Sequence, residues 1–172
     1  MSQTKILLQK LSLLLALSIC SSFAVALPED QNQPIHVSAD RATLNEKTGV
    51  AVYSGAVEIR QGTMVLKGNR VEMHRDSQGS ISRIITTGSP AQFQQQAAAN
   101  QPLTKAFGLR MDYSIPAQTV TITEQARVTQ NADEFTGERI VYDMSKSVVD
   151  AFRSESQGGQ RVQMIIQPKA NP

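Results

Sequence analysis

An all-β protein of antiparallel strands is what this sequence predicts, and three observations carry the prediction. From Pro34 onward, short segments alternate apolar and polar residues. Each ends at a glycine or a polar turn, and helical spacing at i, i+3, i+4, i+7 is not sustained anywhere after Pro34. A period of two puts every second side chain on one face, so each segment has an apolar side and a wet side. Turn signals at the usual spacing of all-β chains would divide the chain into about 12–18 strands.

Taken in order, the first element is an address label. Lys5 and Lys10 form a positive start, Leu11 to Ile19 an apolar run, and Ala24-Val25-Ala26 an A-x-A cleavage signal. That run is too short to cross a bilayer, where about 20 apolar residues are needed. Cys20 would suit a lipid anchor, but the bulky Ile19 stands before it and a good cleavage site follows it. Cleavage after Ala26 is therefore expected, leaving 27–172 as a single domain with short flexible ends. A short helical turn is allowed over Leu27 to Asn32.

The alternating segments follow: Ile35-His36-Val37-Ser38-Ala39, Val50-Ala51-Val52-Tyr53 and Val57-Glu58-Ile59-Arg60. Val71-Glu72-Met73-His74, Val120-Thr121-Ile122-Thr123 and Val162-Gln163-Met164 continue the pattern. Glu46-Lys47-Thr48-Gly49, Gln61-Gly62, Asp76-Ser77-Gln78-Gly79, Ile115-Pro116 and Gly158-Gly159 are turns, where glycine supplies positive φ and proline presets it. Ser89 to Pro102, rich in Gln and Ala and bounded by prolines, reads as a surface loop after a strand carrying Phe93.

Sliding the chain by 69 residues places Arg41 on Arg110, Gln61 on Gln130, Gly68 on Gly137 and Arg70 on Arg139. Two halves of similar strand layout would follow, neither able to bury its apolar face alone.

Composition removes several functions. Without residues 1–26 the chain has no cysteine, and the loss of two lysines leaves 15 basic against 15 acidic residues. A nucleic-acid partner would call for a basic stripe, and none is visible along the sequence. His36 and His74 are the only histidines, and their alternation with apolar neighbours turns them to water, so no metal site is expected. Asp133-Glu134 reads as solvated charge in a turn. No G-x-S-x-G or phosphate-binding glycine loop occurs, and no catalytic residue or cofactor is expected.

Gln33-Pro34-Ile35-His36-Val37-Ser38-Ala39-Asp40, followed by Tyr53-Ser54-Gly55-Ala56-Val57-Glu58-Ile59-Arg60-Gln61-Gly62-Thr63, resembles the LptA/OstA family, the periplasmic component of the lipopolysaccharide export bridge. Gly88-Ser89-Pro90-Ala91-Gln92-Phe93, Met111-Asp112-Tyr113 and Gly137-Glu138-Arg139-Ile140-Val141-Tyr142 agree in the same order. The resemblance spans Gln33 to about Pro168, with a Gln/Ala-rich Gln94 to Gln101 and a short tail after Pro168 as departures. It implies a twisted, partly open antiparallel β-jellyroll in the periplasm, whose apolar trough carries the lipid A acyl chains of lipopolysaccharide. It further implies head-to-tail self-association into a bridge. That bridge would join an inner-membrane anchor protein to an outer-membrane translocon protein.

The physics asks for the same thing. Each CH₂ of a lipid exposed to water costs about 0.8 kcal/mol, so crossing an aqueous compartment needs continuous apolar cover. The unpaired first and last strands, Ile35 to Ala39 and Arg161 to Gln167, would offer backbone groups to a neighbour. A structural or glycan-binding β-domain without lipid cargo is the other class open to this composition, although a chain without Trp lacks the usual glycan platform.

Candidate lipid-contact residues are the apolar positions expected to face inward. They are Ile35, Val37, Leu44, Val52, Val57 and Ile59 in the first half, then Phe93, Leu109, Ile115 and Ile122. Period two cannot separate a residue that lines a trough from one that fills a core. The resemblance singles out Ile35, Val37, Phe93 and Ile115, which match positions associated with acyl-chain contact. Arg75 and Arg139 are candidates for bidentate contact with phosphates.

Overall fold

The structure is a computed structural model that describes residues 30–96, 101–154, 159 and 161–168. The expected address label lies outside the described residues. A 3₁₀ turn at Asp30–Asn32 precedes ten strands. The first five are β1 (His36–Ser38), β2 (Arg41–Asn45), β3 (Val50–Gln61), β4 (Met64–Arg75) and β5 (Ile81–Gln95). The rest are β6 (Thr104–Ser114), β7 (Thr119–Gln130), β8 (Asp133–Asp143), β9 (Val148–Phe152) and β10 (Gln163–Ile165).

All ten belong to one antiparallel sheet. Strands β3 to β8 form a meander, with β1 and β2 end to end along the free side of β3 and β9 and β10 end to end along β8. The two outer edges do not pair with each other, so the sheet is open. The turns fall where the glycine and proline signals stood, at 46–49, 62–63, 76–79 and 115–118.

Every long strand changes register near its middle. The shifts lie between Ser54 and Val57, Lys67 and Arg70, Thr87 and Ala91, Phe107 and Arg110, and Thr123 and Ala126. Such bulges bend a strand and sharpen its twist. Lined up across the sheet, they fold it over on itself. The rings of Phe93 and Tyr113 prove the fold-over, because they meet edge to face with centroids 6.4 Å apart. Yet Phe93 is paired with Ala106, and Tyr113 with Ile84, nine residues away along β5. A straight strand would separate them by about 30 Å.

Each long strand therefore serves two layers. Layer I holds the segments on the Val57 and Leu66 side of the bend; layer II holds those on the Tyr53 and Val71 side. At the bend, Gly55 has φ +81°, a conformation L side chains rarely adopt. A Cβ on Gly68 would stand 2.7 Å from the Thr87 carbonyl oxygen, so only glycine fits there.

Among the described residues the expected 12–18 strands are corrected to ten, because the mid-strand glycines are bends and not turns. The loop expected over Ser89 to Pro102 is also shorter, since Ser89–Gln95 continue β5. The 69-residue offset carries β3 onto β7 end for end, and β4 onto β8 to within one residue. The same offset carries β1 and β2 onto the unbroken β6. The molecule is a folded, open jellyroll of two similar halves.

Hydrogen bonds pin the ends. Asp30 accepts from the Thr63 amide (2.7 Å), the Thr63 hydroxyl (2.6 Å) and the Gln95 side chain (2.8 Å), tying the N-terminal turn to the tip of layer I. Asp143 accepts from the Lys146 ammonium and the Ser145 hydroxyl, both at 2.7 Å, which locks the β8–β9 turn. These contacts hold its carboxyl down at about 2.

Candidate functional site

Directly opposed residues in a sheet share a face, so the register assigns every paired side chain to the inside or the outside of the fold. In layer I the inner row nearest the bend is small: Val57 faces Gly68, Ala91 faces Gly108, and Ala126 faces Gly137. The next inner row is apolar across the whole sheet. It runs Val37, Ile59, Leu66, Phe93, Ala106, Val128, Phe135, Met164, one residue from each strand position between the two edges.

Layer II faces it with two comparable rows. One runs from Tyr53 through Val71, Thr86, Met111 and Ile122 to Ile140. The other runs from Leu44 through Ala51, Met73, Ile84, Tyr113 and Val120 to Tyr142. At about 4.8 Å per strand, the eight-strand row of layer I is a lane of about 34 Å. It crosses the strands and emerges at both open edges.

The lane is dry in the middle and accessible at its ends. Ile59, Phe93, Ile122, Val128 and Ile140 are at most 1% exposed. The edge members Ile35, Val37, Ala39, Ala51 and Tyr53 on one side, and Phe135, Val149 and Ala151 on the other, are only partly buried against that core. Leu44 at one mouth and Met164 at the other are each 52% exposed. Polar groups rim the layer I tip, where Gln61, Gln95, Thr104 and Gln130 close the row beyond Phe93. Burial, reinforced by the Asp30 charge, pushes the Tyr113 phenol above its ordinary range.

Eight of the ten apolar candidates stand on this inner surface. Val57, Ile59, Phe93 and Ile122 lie inside the core, whereas Ile35, Val37 and Ile115 are half-buried against it. Leu44 shares its face with Ala51 at the edge. Two candidates are corrected. Val52 pairs with Thr43 and Glu72 on the outer face, because it alternates with the inward Ala51 and Tyr53. Leu109 falls in the register shift between Phe107 and Arg110 and takes no place in the inner rows.

Sequence reading missed Leu66, Met111, Val128, Ile140 and Tyr142. For Leu66, Met111, Ile140 and Tyr142 the signal was the change of phase at the bulge, which turns the inward positions of β4 from even (Leu66) to odd (Val71); Val128 keeps the even phase of Ile122 along β7.

The charged residues lie outside. Glu58 is held below the usual carboxylate range by hydrogen bonds from Lys67 and then Arg60. Arg75 ends β4 in an exposed position, and the Arg139 guanidinium lies 3.8 Å above the Phe152 ring. Among the described residues no three His, Cys, Asp or Glu side chains gather where they could hold a metal ion. No described helix is long and apolar enough to cross a membrane.

Residues 36–148 match the family described as LptA/(LptD N-terminal domain) LPS transport protein. The chain belongs to that family. Its relatives include the lipopolysaccharide export system protein LptH of Pseudomonas aeruginosa, 42% identical over 161 residues, which are 90% of this chain and 91% of the relative. The export system protein LptA of Haemophilus influenzae is 28% identical over 166 residues, covering 95% and 94% of the two chains. A crystal structure of the Pseudomonas LptH, described as the LptA-homologous periplasmic component of the lipopolysaccharide transport device, matches with a TM-score of 0.75 at 39% identity. That match covers 82% of this chain and all of the other.

The LptA-type match begins at the first residue of β1 and ends at the first of β9, so it contains the bend line and all but the last strands of the lane.

Proposed function

We propose that this protein binds lipopolysaccharide by its acyl chains along the apolar lane and carries it across the periplasm as part of an end-to-end protein bridge that supports outer-membrane assembly. The observation that carries the reading is the lane itself: a row of apolar residues reaching from one open edge to the other. Membership of a lipopolysaccharide transport family, and relatives named as export proteins, favour this over a structural domain without cargo. Acyl chains would enter at the half-buried edge, beside Ile35 and Val37, and advance by displacing side chains that now fill the middle. No group for covalent chemistry is needed, because transfer along an apolar path changes only what covers the lipid.

Photo-crosslinking residues test the path. One placed at Ile35 or Phe93 is expected to capture lipopolysaccharide, and one at Glu58, on the outer face, is not. Equal capture at all three positions would remove the lane assignment.

The edges supply the means of joining. Six of the eight exposed large apolar side chains among the described residues lie between Val148 and Ile166, on or beside β9 and β10. The opposite edge presents the unpaired sides of β1 and β2. Pairing of unlike edges propagates head to tail, and the same two edges would meet the inner-membrane anchor and the outer-membrane translocon at the bridge ends. Deleting Arg161 to Pro172 is expected to shift the protein to monomers in sedimentation, and an unchanged distribution would take assembly away from this edge.

A further inference from the structure

The outer face carries a pattern invisible along the chain. One outer row, just on the layer II side of the bend, holds Arg41, Arg70, Arg110 and Arg139 on alternate strand positions. Between them stand the hydroxyl residues Ser54, Thr87 and Thr123. The guanidinium groups thus recur every two strands, about 9.6 Å apart, along the convex ridge where the sheet folds over. The pattern follows from the internal repeat, since the 69-residue offset carries Arg41 to Arg110, Ser54 to Thr123 and Arg70 to Arg139.

Much of this charge is uncommitted. The side chains of Arg41 and Arg110 make no ion pair or hydrogen bond among the described residues. Arg70 is 2.9 Å from Glu72. Arg139 is stacked on Phe152, a contact that uses the face of the guanidinium and leaves its in-plane N–H donors free. The row ends in an open cavity of about 400 Å³ lined by Thr123, Glu138, Arg139, Phe152 and Arg153. Two guanidinium groups there face a single carboxylate.

The neighbouring outer row decides what kind of anion fits. Two residues further along the strands, about 7 Å away, it carries Glu72, Asp112 and Asp150. A flat anionic membrane would meet both rows and gain nothing from the second, where Arg70 and Arg83 already pair with Glu72 and Asp112 and the exposed Asp150 adds negative charge. A narrow, linear polyanion can follow the arginines alone, accepting hydrogen bonds from the hydroxyl groups between them.

We propose that this ridge is a binding track for a linear polyanionic saccharide, anchored at the β9 end by Arg139, Arg153 and Thr123. It deepens the export reading and rests on it in one respect, that the phosphorylated saccharide of the cargo lipid is the ligand. Acyl chains inside and sugar outside would then be held by two separate surfaces of one folded sheet.

The test uses the mature chain and fully deacylated lipopolysaccharide, which keeps its sugars and phosphates and has nothing for the apolar lane to hold. Arg41→Gln/Arg110→Gln is expected to weaken its binding about tenfold at low salt, with the difference vanishing near 1 M salt, where screening acts within about 3 Å. Arg139→Gln/Arg153→Gln is expected to act in the same direction. Arg41→Lys/Arg110→Lys keeps the charge and is expected to bind within about threefold of the parent, which separates lost charge from lost folding.

Unchanged affinity in both Gln variants would overturn the proposal. So would equal binding of inorganic polyphosphate, which would leave charge alone, or binding to phosphatidylglycerol vesicles without binding to the saccharide. Capture of intact lipopolysaccharide at Ile35 reports on the lane independently, so either surface can fail without the other.

Discussion

Phe93→Ala is expected to lower the unfolding free energy by about 3–5 kcal/mol, the largest stability effect of any single truncation in the lane. Its ring is 1% exposed and sits mid-way in the apolar row that crosses layer I. It also touches Tyr113 across the fold, an edge-to-face ring contact worth about 0.5–1.5 kcal/mol beyond burial alone. Ala91, Ala106 and the bend glycines supply no bulk that could swing into the gap, so the cavity would stay open. Urea unfolding measures the effect. Glu58→Ala, on the opposite face of the same layer and tied only to exposed cations, is expected to stay within about 1 kcal/mol. A loss below about 1 kcal/mol for Phe93→Ala would mean that the two layers do not close over this ring.

The contrast between Phe93 and Val52 shows how far alternation reaches. Within one unbroken segment a period of two is reliable: Ala51 and Tyr53 point in, so Val52 points out, and nothing but the missing choice of face made it a candidate. Across the bulges of β4, β5, β6 and β8 the period fails. Leu66 and Val71 are both inward although they stand five positions apart, because the extra residue at the bend shifts the phase. Gly68, Gly88, Gly108 and Gly137 look like turn punctuation in a linear reading, yet they mark the crease along which six long strands fold.

The repeat, by contrast, was legible from four identities. Gly68 and Gly137 occupy equivalent bends, and Gln61 and Gln130 equivalent strand ends. The arginine ridge could not be seen before the register, since its members are separated by 29 to 40 residues in sequence and become neighbours only through pairing. The family was legible from the blocks Gln33 to Asp40 and Tyr53 to Thr63, whereas alternation alone told only which residues could share an apolar face.

Ile35→Asp is expected to weaken capture of lipopolysaccharide at least about tenfold, a difference of about 1.4 kcal/mol. Ile35 precedes β1 at the half-buried mouth of the lane, packed against the core yet still reached by solvent. A carboxylate there keeps its water in the empty protein, so the fold loses only part of one aliphatic side chain. When an acyl chain covers the mouth, the same carboxylate must shed that water with no partner to replace it, at a cost of about 1–3 kcal/mol. The penalty belongs to the charged form, and it therefore shrinks as pH falls toward the ordinary aspartate value of about 4. Ile35→Asn removes the same apolar surface without a titrating group, so its smaller defect should not change with pH. The two variants, compared by crosslinking yield at Phe93 between pH 7 and pH 4.5, separate desolvation of charge from loss of contact area. Capture equal to the parent in both would put Ile35 outside the path of the acyl chains and move the entrance of the lane to the Leu44 side of the same edge.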